Sequence, residues 1–155
     1  MDTREDRDPE IALAPAGDLE PPRFPPDLSP AVRERITREF AQILALVGQH
    51  RYASAYKVLE TWPESVWGKL GKDTELLSGV LHYKTEFYGD AIDQLKPLAD
   101  DPSYVARRPA LLYYLGRAYY ANANYRKAVA ALERYIPAQR AAGQPLLPIS
   151  ARPVP

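Results

Sequence analysis

Cysteine is absent from this 155-residue chain, which excludes disulfides and thiolate metal sites. Histidine is scarce: His50 and His82 are the only two, and zinc takes three or four ligands. Neither sign of charge is in excess. Lys plus Arg and Asp plus Glu stand at 20 each, so no global field draws the chain to nucleic acid or to an anionic membrane. No stretch approaches the roughly 20 apolar residues that span a bilayer. The opening residues 1–10 are charged and acidic, the reverse of a secretory leader. The expectation is a cytoplasmic protein with no cofactor, no metal and no membrane insertion. Length allows one domain with a modest core, and the Arg, Ala and Pro usage suits a GC-rich bacterial genome.

What the chain does contain is unevenly spread. Residues 1–29 hold eight acids against three arginines, a net of −5, so the remainder carries +5. Of the 16 prolines, seven lie in residues 1–30 and four follow Gly143. Proline lacks a backbone donor and blocks helix propagation, so both ends are expected to be extended or disordered. The expected organisation is a flexible acidic Pro-rich segment over 1–29, a helical domain over 30–142, and a Pro-rich tail over 143–155. Phe24 and Leu28, or Leu146, Leu147 and Ile149, could fold back into the chain's own groove or reach across to a partner.

The helical part carries an internal repeat. Tyr52-x-x-Ala55, Tyr88-x-x-Ala91 and Tyr125-x-x-Ala128 share one pattern, and a leucine follows each alanine by four residues (Leu59, Leu95, Leu132). The alanines are 36 and 37 residues apart, and a short polar break precedes each tyrosine. This spacing predicts helix hairpins, with the alanine where two axes come closest and the aromatic filling the wedge beside it. One hairpin cannot bury both its faces, so neighbours stack. Punctuation agrees: Ser29-Pro30 caps the first helix, Asp73 is placed to cap the second helix A, and Pro109 opens the third. Pro63 ends the first helix B, while Pro97 and Pro137 are expected to stop or kink the other two.

The third unit, with Leu115-Gly116, Tyr119, the Tyr125-x-x-Ala128 opening and Leu132, resembles a tetratricopeptide repeat almost throughout. The second keeps Gly79 but has Ser78 and His82 for the usual leucine and aromatic; the first has Gln42 and Ile43 where Leu-Gly is expected. The resemblance implies an all-α fold of about six helices, antiparallel hairpins stacked in a short right-handed superhelix. It also implies that each helix A lines a concave wall. The matching positions are Tyr113, Arg117, Tyr120 and Ala121 in unit three, Leu76, Val80, Tyr83 and Lys84 in unit two, and Phe40, Leu44 and Val47 in unit one. These positions are mostly Leu, Val and Tyr, unlike the lysines and asparagines with which chaperone-binding members of that family clamp a terminal carboxylate. An apolar, aromatic wall suits an amphipathic helix or extended apolar segment of another protein.

Other chemistry finds little support. His82 and Glu86 are spaced four apart, but a single such pair does not make a metal site. Asp90 with Asp93, and Asp100 with Asp101, are better read as a helix first turn and a turn before Pro102 than as acid and base. Gly68-Lys69-Leu70-Gly71 lacks the context of a phosphate loop. Tyr113, Tyr114, Tyr119, Tyr120 and Tyr125 could stack on bases, yet Tyr119 and Tyr125 are expected in repeat packing and the net charge gives no drive to nucleic acid. The reading is a non-enzymatic adaptor or assembly subunit that binds another polypeptide, with a homo-oligomer left open. A secretion-type cargo chaperone and a permanently bound accessory subunit are the alternatives.

Overall fold

The computed structural model describes residues 19–143, and among these it is all-helical, without strands. Seven α-helices follow in order: α1 (Pro30–Gly48), α2 (Tyr52–Leu59), α3 (Lys72–Lys84), α4 (Tyr88–Ala99), α5 (Pro102–Arg107), α6 (Ala110–Ala121) and α7 (Tyr125–Ala141). A single 3-10 turn, Glu64–Val66, separates α2 from α3. Three antiparallel pairs, α1–α2, α3–α4 and α6–α7, stack through α2 on α3 and α4 on α6. None of these helices is long and apolar enough to cross a membrane.

The three hairpins turn in the same way. His50, Glu86 and Ala123 each sit two residues before the repeat tyrosine with φ of 59°, 71° and 64°. In each turn that residue's N–H bonds to the carbonyl three back, and the next N–H bonds to the carbonyl five back (Arg51 to Leu46, Phe87 to His82, Asn124 to Tyr119). The left-handed residue thus satisfies the carbonyls orphaned at the end of each helix A.

Past each turn the repeat alanine sits at the crossing: Ala55, Ala91 and Ala128 are all buried. The glycines make a second crossing possible. A methyl group on Gly79 would lie 2.6 Å from Leu95 Cδ2, and one on Gly116 would lie 2.7 Å from Leu132 Cγ. The leucine four after the alanine therefore seats on a bare backbone in hairpins two and three. In hairpin one the glycine's place is taken by Ile43, which is buried along with Leu59.

Ser29 caps α1 as expected, its Oγ accepting from Val32 N–H at 3.2 Å. Other expectations are corrected. Pro97 and Pro137 lie inside α4 and α7 and stop neither. The Asp100-Asp101-Pro102 turn opens an unexpected helix, α5, with Asp101 as its N-cap and Pro102 at its first position. Tyr125 stands 55% exposed, outside the buried core, with its ring edge-on to Tyr120.

The folded body also begins earlier than residue 30. Leu19 packs against both apolar clusters of the core, and Phe24 and Leu28 pack against the one around α1 and α2. Arg23 N–H donates to Leu70 C=O at 2.9 Å. Residues 19–29 are thus part of the body; residues 1–18 and 144–155, where the rest of the expected tails falls, lie outside the described residues.

Asp73, expected as a cap, is instead the hub of a buried polar network. Its Oδ1 accepts from the Tyr104 hydroxyl at 2.6 Å and from Arg108 Nε at 3.2 Å. Its Oδ2 accepts from Arg108 Nη2 at 2.8 Å and from Glu20 N–H at 2.7 Å. Asp73 and Arg108 are 4% and 7% exposed. Burial alone would raise the Asp73 pKa, but the bonds from Arg108, Glu20 and Tyr104 outweigh it and hold the carboxyl below its ordinary value. Burial and the Asp73 carboxylate push the Tyr104 hydroxyl up, so it stays a donor.

Two predictions follow from this packing. Gly79→Ala, facing the fully buried Leu95, should destabilise by about 1–2 kcal/mol, because overpacking exceeds the gain in helix propensity. Gly116→Ala should cost less, since Leu132 is only partly buried, and Ala123→Gly should stabilise by up to about 1 kcal/mol by relieving a left-handed alanine. Urea unfolding of the three variants measures the order. For the network, Asp73→Asn should cost about 3–5 kcal/mol by stranding Arg108. Because the folded Asp73 pKa lies below the unfolded value near 4, its contribution is complete above that value and is lost as pH falls through the folded pKa. Acid titration of unfolding free energy should therefore fall less steeply in Asp73→Asn than in the wild type.

Candidate functional site

The expected concave wall is largely interior. Leu76, Val80, Tyr83 and Tyr113 belong to one core cluster and Phe40 to the other. Lys84 is buried as well, its ammonium 4.8 Å from the centroid of the Tyr52 ring. Leu44 and Val47 are half-buried and packed against the cluster that holds Phe40. A continuous apolar groove along the A helices is therefore not what these residues form: neighbouring hairpins and residues 19–28 cover them. What stays accessible is a small hollow of about 220 Å3 at the ends of α3 and α6, bordered by Tyr83, Tyr88, Arg117, Tyr120, Ala121 and Tyr125, with Glu86 at its edge. There Arg117 Nε donates to the Tyr83 hydroxyl at 3.4 Å, and the Tyr120 and Tyr125 rings meet edge-on at 5.0 Å.

A larger groove lies between the two first B helices, α2 and α4, with α3 as its floor, and has a volume of about 510 Å3. Tyr56, Leu59 and Glu60 come from α2, Ser78 and His82 from α3, and Asp90, Asp93 and Gln94 from α4. The connection after α2 closes one end with Trp62, Glu64 and Trp67. Local sequence explains each placement. Pro63 carries the chain out of α2 into the 3-10 turn. Asp90 falls in the first turn of α4, where the helix dipole favours a carboxylate, and Asp93 follows three residues later on the same face.

The walls are aromatic. Trp62 and Trp67 stack with centroids 5.6 Å apart and planes 20° apart. Trp62 is held from behind by its indole N–H, which donates to Glu39 Oε1 at 2.8 Å. Tyr56 stacks on Phe87 at 5.3 Å and meets His82 edge-on at 5.2 Å. The floor is polar and satisfied: Gln94 Oε1 accepts from Ser78 Oγ at 2.9 Å and lies 2.6 Å from His82 Nδ1. Nδ1 also lies 2.9 Å from the Ser78 carbonyl. Both neighbours are acceptors, so Nδ1 carries the proton.

The rim is acidic. Glu60, Glu64, Asp90 and Asp93 face the groove, no Lys or Arg lines it, and none of the four carboxylates forms an ion pair among the described residues. The field reaches the aromatic wall: burial pushes the Tyr56 hydroxyl up, and Glu60 and Asp90 push it further. Carboxylates and aromatic rings thus border one groove, and both attract positive charge.

Sequence reasoning weighed His82, Asp90 and Asp93 but only as a metal or acid–base set, and it passed over Trp62 and Trp67. The available signal was that both tryptophans of the chain fall within six residues, flanked by Glu60 and Glu64. A scan against models of known families and searches of curated proteins and of solved structures find no match to this chain.

Proposed function

We propose that this chain is a non-catalytic adaptor of the tetratricopeptide type, which holds a partner polypeptide by a positively charged segment laid in the groove between α2 and α4. The observation that carries the reading is four carboxylates, without ion-pair partners among the described residues, around the Trp62–Trp67 and Tyr56 walls. A lysine or arginine stem buries its methylenes against the rings while its head meets the rim acids. Arginine is favoured, since its planar group both stacks and pairs with carboxylates two-handed. The chain's own residues 1–18, six acids against two arginines, have the wrong sign for such a groove.

This differs from the apolar segment that the resemblance suggested, because the apolar wall is spent on the core. Rim pairs of this kind contribute roughly 0.2–1 kcal/mol each, and an exposed cation–ring contact about 0.5–1 kcal/mol. Several must act together, and the affinity must fall with salt.

The two tryptophans of the chain both line the groove, so their fluorescence reports occupancy directly. A short arginine-rich peptide should perturb that emission saturably, more weakly as salt rises, while a glutamate-rich counterpart should not. Asp90→Asn/Asp93→Asn, both exposed positions, should weaken binding about two- to thirtyfold with the fold intact. Equal response to both peptides, or none to the arginine peptide, overturns the assignment.

A further inference from the structure

The last helix presents an apolar stripe to solvent. Tyr125 and Val129 are 55% and 54% exposed, Ile136 is 37% exposed, and Leu132 between them is only partly buried. At about 100° per residue the four fall within about 60° of one another along α7. The side about a quarter-turn from the stripe is taken: Ala128, Ala131 and Tyr135 are in the core. Arg134 Nη2 donates to Ala99 C=O at 2.8 Å across on α4. Every earlier B helix is covered by the hairpin that follows, α2 by α3 and α4 by α6. Among the described residues no element follows α7, so its stripe meets no hairpin.

The charges beside the stripe indicate what covers it. Arg126 and Glu133 are exposed, unpaired among the described residues, and seven residues apart. Seven residues bring them to the same flank, about 10.5 Å apart along the axis. Opposite charges so placed are self-complementary. In an antiparallel pairing of two such helices about a two-fold axis near Val129 and Ala130, Arg126 of each copy faces Glu133 of the other. The same axis brings Tyr125 near Ile136 and Val129 near Leu132, offset by two residues' rise, about 3 Å. A parallel pairing would oppose like with like.

We propose that the chain self-associates through this face, two copies of α7 packing antiparallel with reciprocal Arg126–Glu133 pairs. Such an isologous patch closes on itself, so assembly stops at two. The stripe lies on the last hairpin and the acidic groove between the first two, so the pairing leaves both grooves of the dimer open, and the inference does not depend on what the groove binds.

Sedimentation of the full chain over a dilution series should show a weak dimer, of about 10–100 µM. Val129→Lys and Ile136→Lys, changes at exposed positions checked by helical circular dichroism, should abolish it. Arg126→Glu and Glu133→Arg should each weaken it about tenfold, since the axis doubles every lost pair. The double swap Arg126→Glu/Glu133→Arg should restore it. Leu146→Ser/Leu147→Ser/Ile149→Ser, which makes the residues after Gly143 polar, should leave the dimer unchanged. A wild-type monomer throughout the series overturns the proposal. So does a double swap no better than the single reversals, or a dimer that appears only when the 146–149 residues are made polar, which would assign the stripe to the chain's own C-terminal residues.

Discussion

The Asp73–Arg108 ion pair is the constraint on which the arrangement of hairpins rests. Removing two charges from water costs several kcal/mol per ion, and attraction alone does not reliably offset it. Here the carboxylate's acceptor sites are filled from three places: Arg108 twice, the Tyr104 hydroxyl, and Glu20 N–H. Those donors lie on the segment ahead of α1, on α5, and at Arg108, the C-cap just after α5. One side chain at the start of α3 therefore fixes where the second hairpin meets the third and where the N-terminal segment lies. Weaker exposed pairs reinforce the same joint, Arg107 with Glu20 and Lys72 with Asp101. With that joint made, α5 packs on α4, α6 and α7 and closes the core under Tyr104 and Val105.

The repeat was legible in the sequence because its cause is local. A small residue is required wherever two helices cross closely, so Ala55, Ala91 and Ala128 mark the crossings by their spacing, as Gly79 and Gly116 do for the leucines opposite. The N-cap at Ser29 is similarly local. The features that escaped are those set by distant partners. A six-residue helix such as α5 has too little periodicity to declare itself. Proline count made residues 19–29 look unstructured, while three anchors, Leu19, Phe24 and Leu28, dock them. Phe40, Leu76, Val80 and Tyr113, expected on an open wall, lie in the core instead. Periodicity gives a face, however, and not what lies over it.

The groove was hidden for a related reason. Its carboxylates come from Glu60 and Glu64 on one side and from Asp90 and Asp93 about thirty residues later. A balanced total charge conceals them, since net charge is a sum and recognition depends on local potential. Tertiary packing of α2 beside α4 over α3 turns two modest acidic pairs into one rim. The aromatic wall is equally composite, built from α2, its following turn and Phe87.

Repeat arrays usually gain or lose length by whole units, since each unit touches only its neighbours through interchangeable surfaces. The α5 insertion and the cross-hairpin bonds to Asp73 break that interchangeability. Duplicating or excising the middle hairpin would orphan either a buried carboxylate or a buried guanidinium. A change confined to the surface leaves this joint intact, whereas insertion or loss of a whole hairpin breaks it.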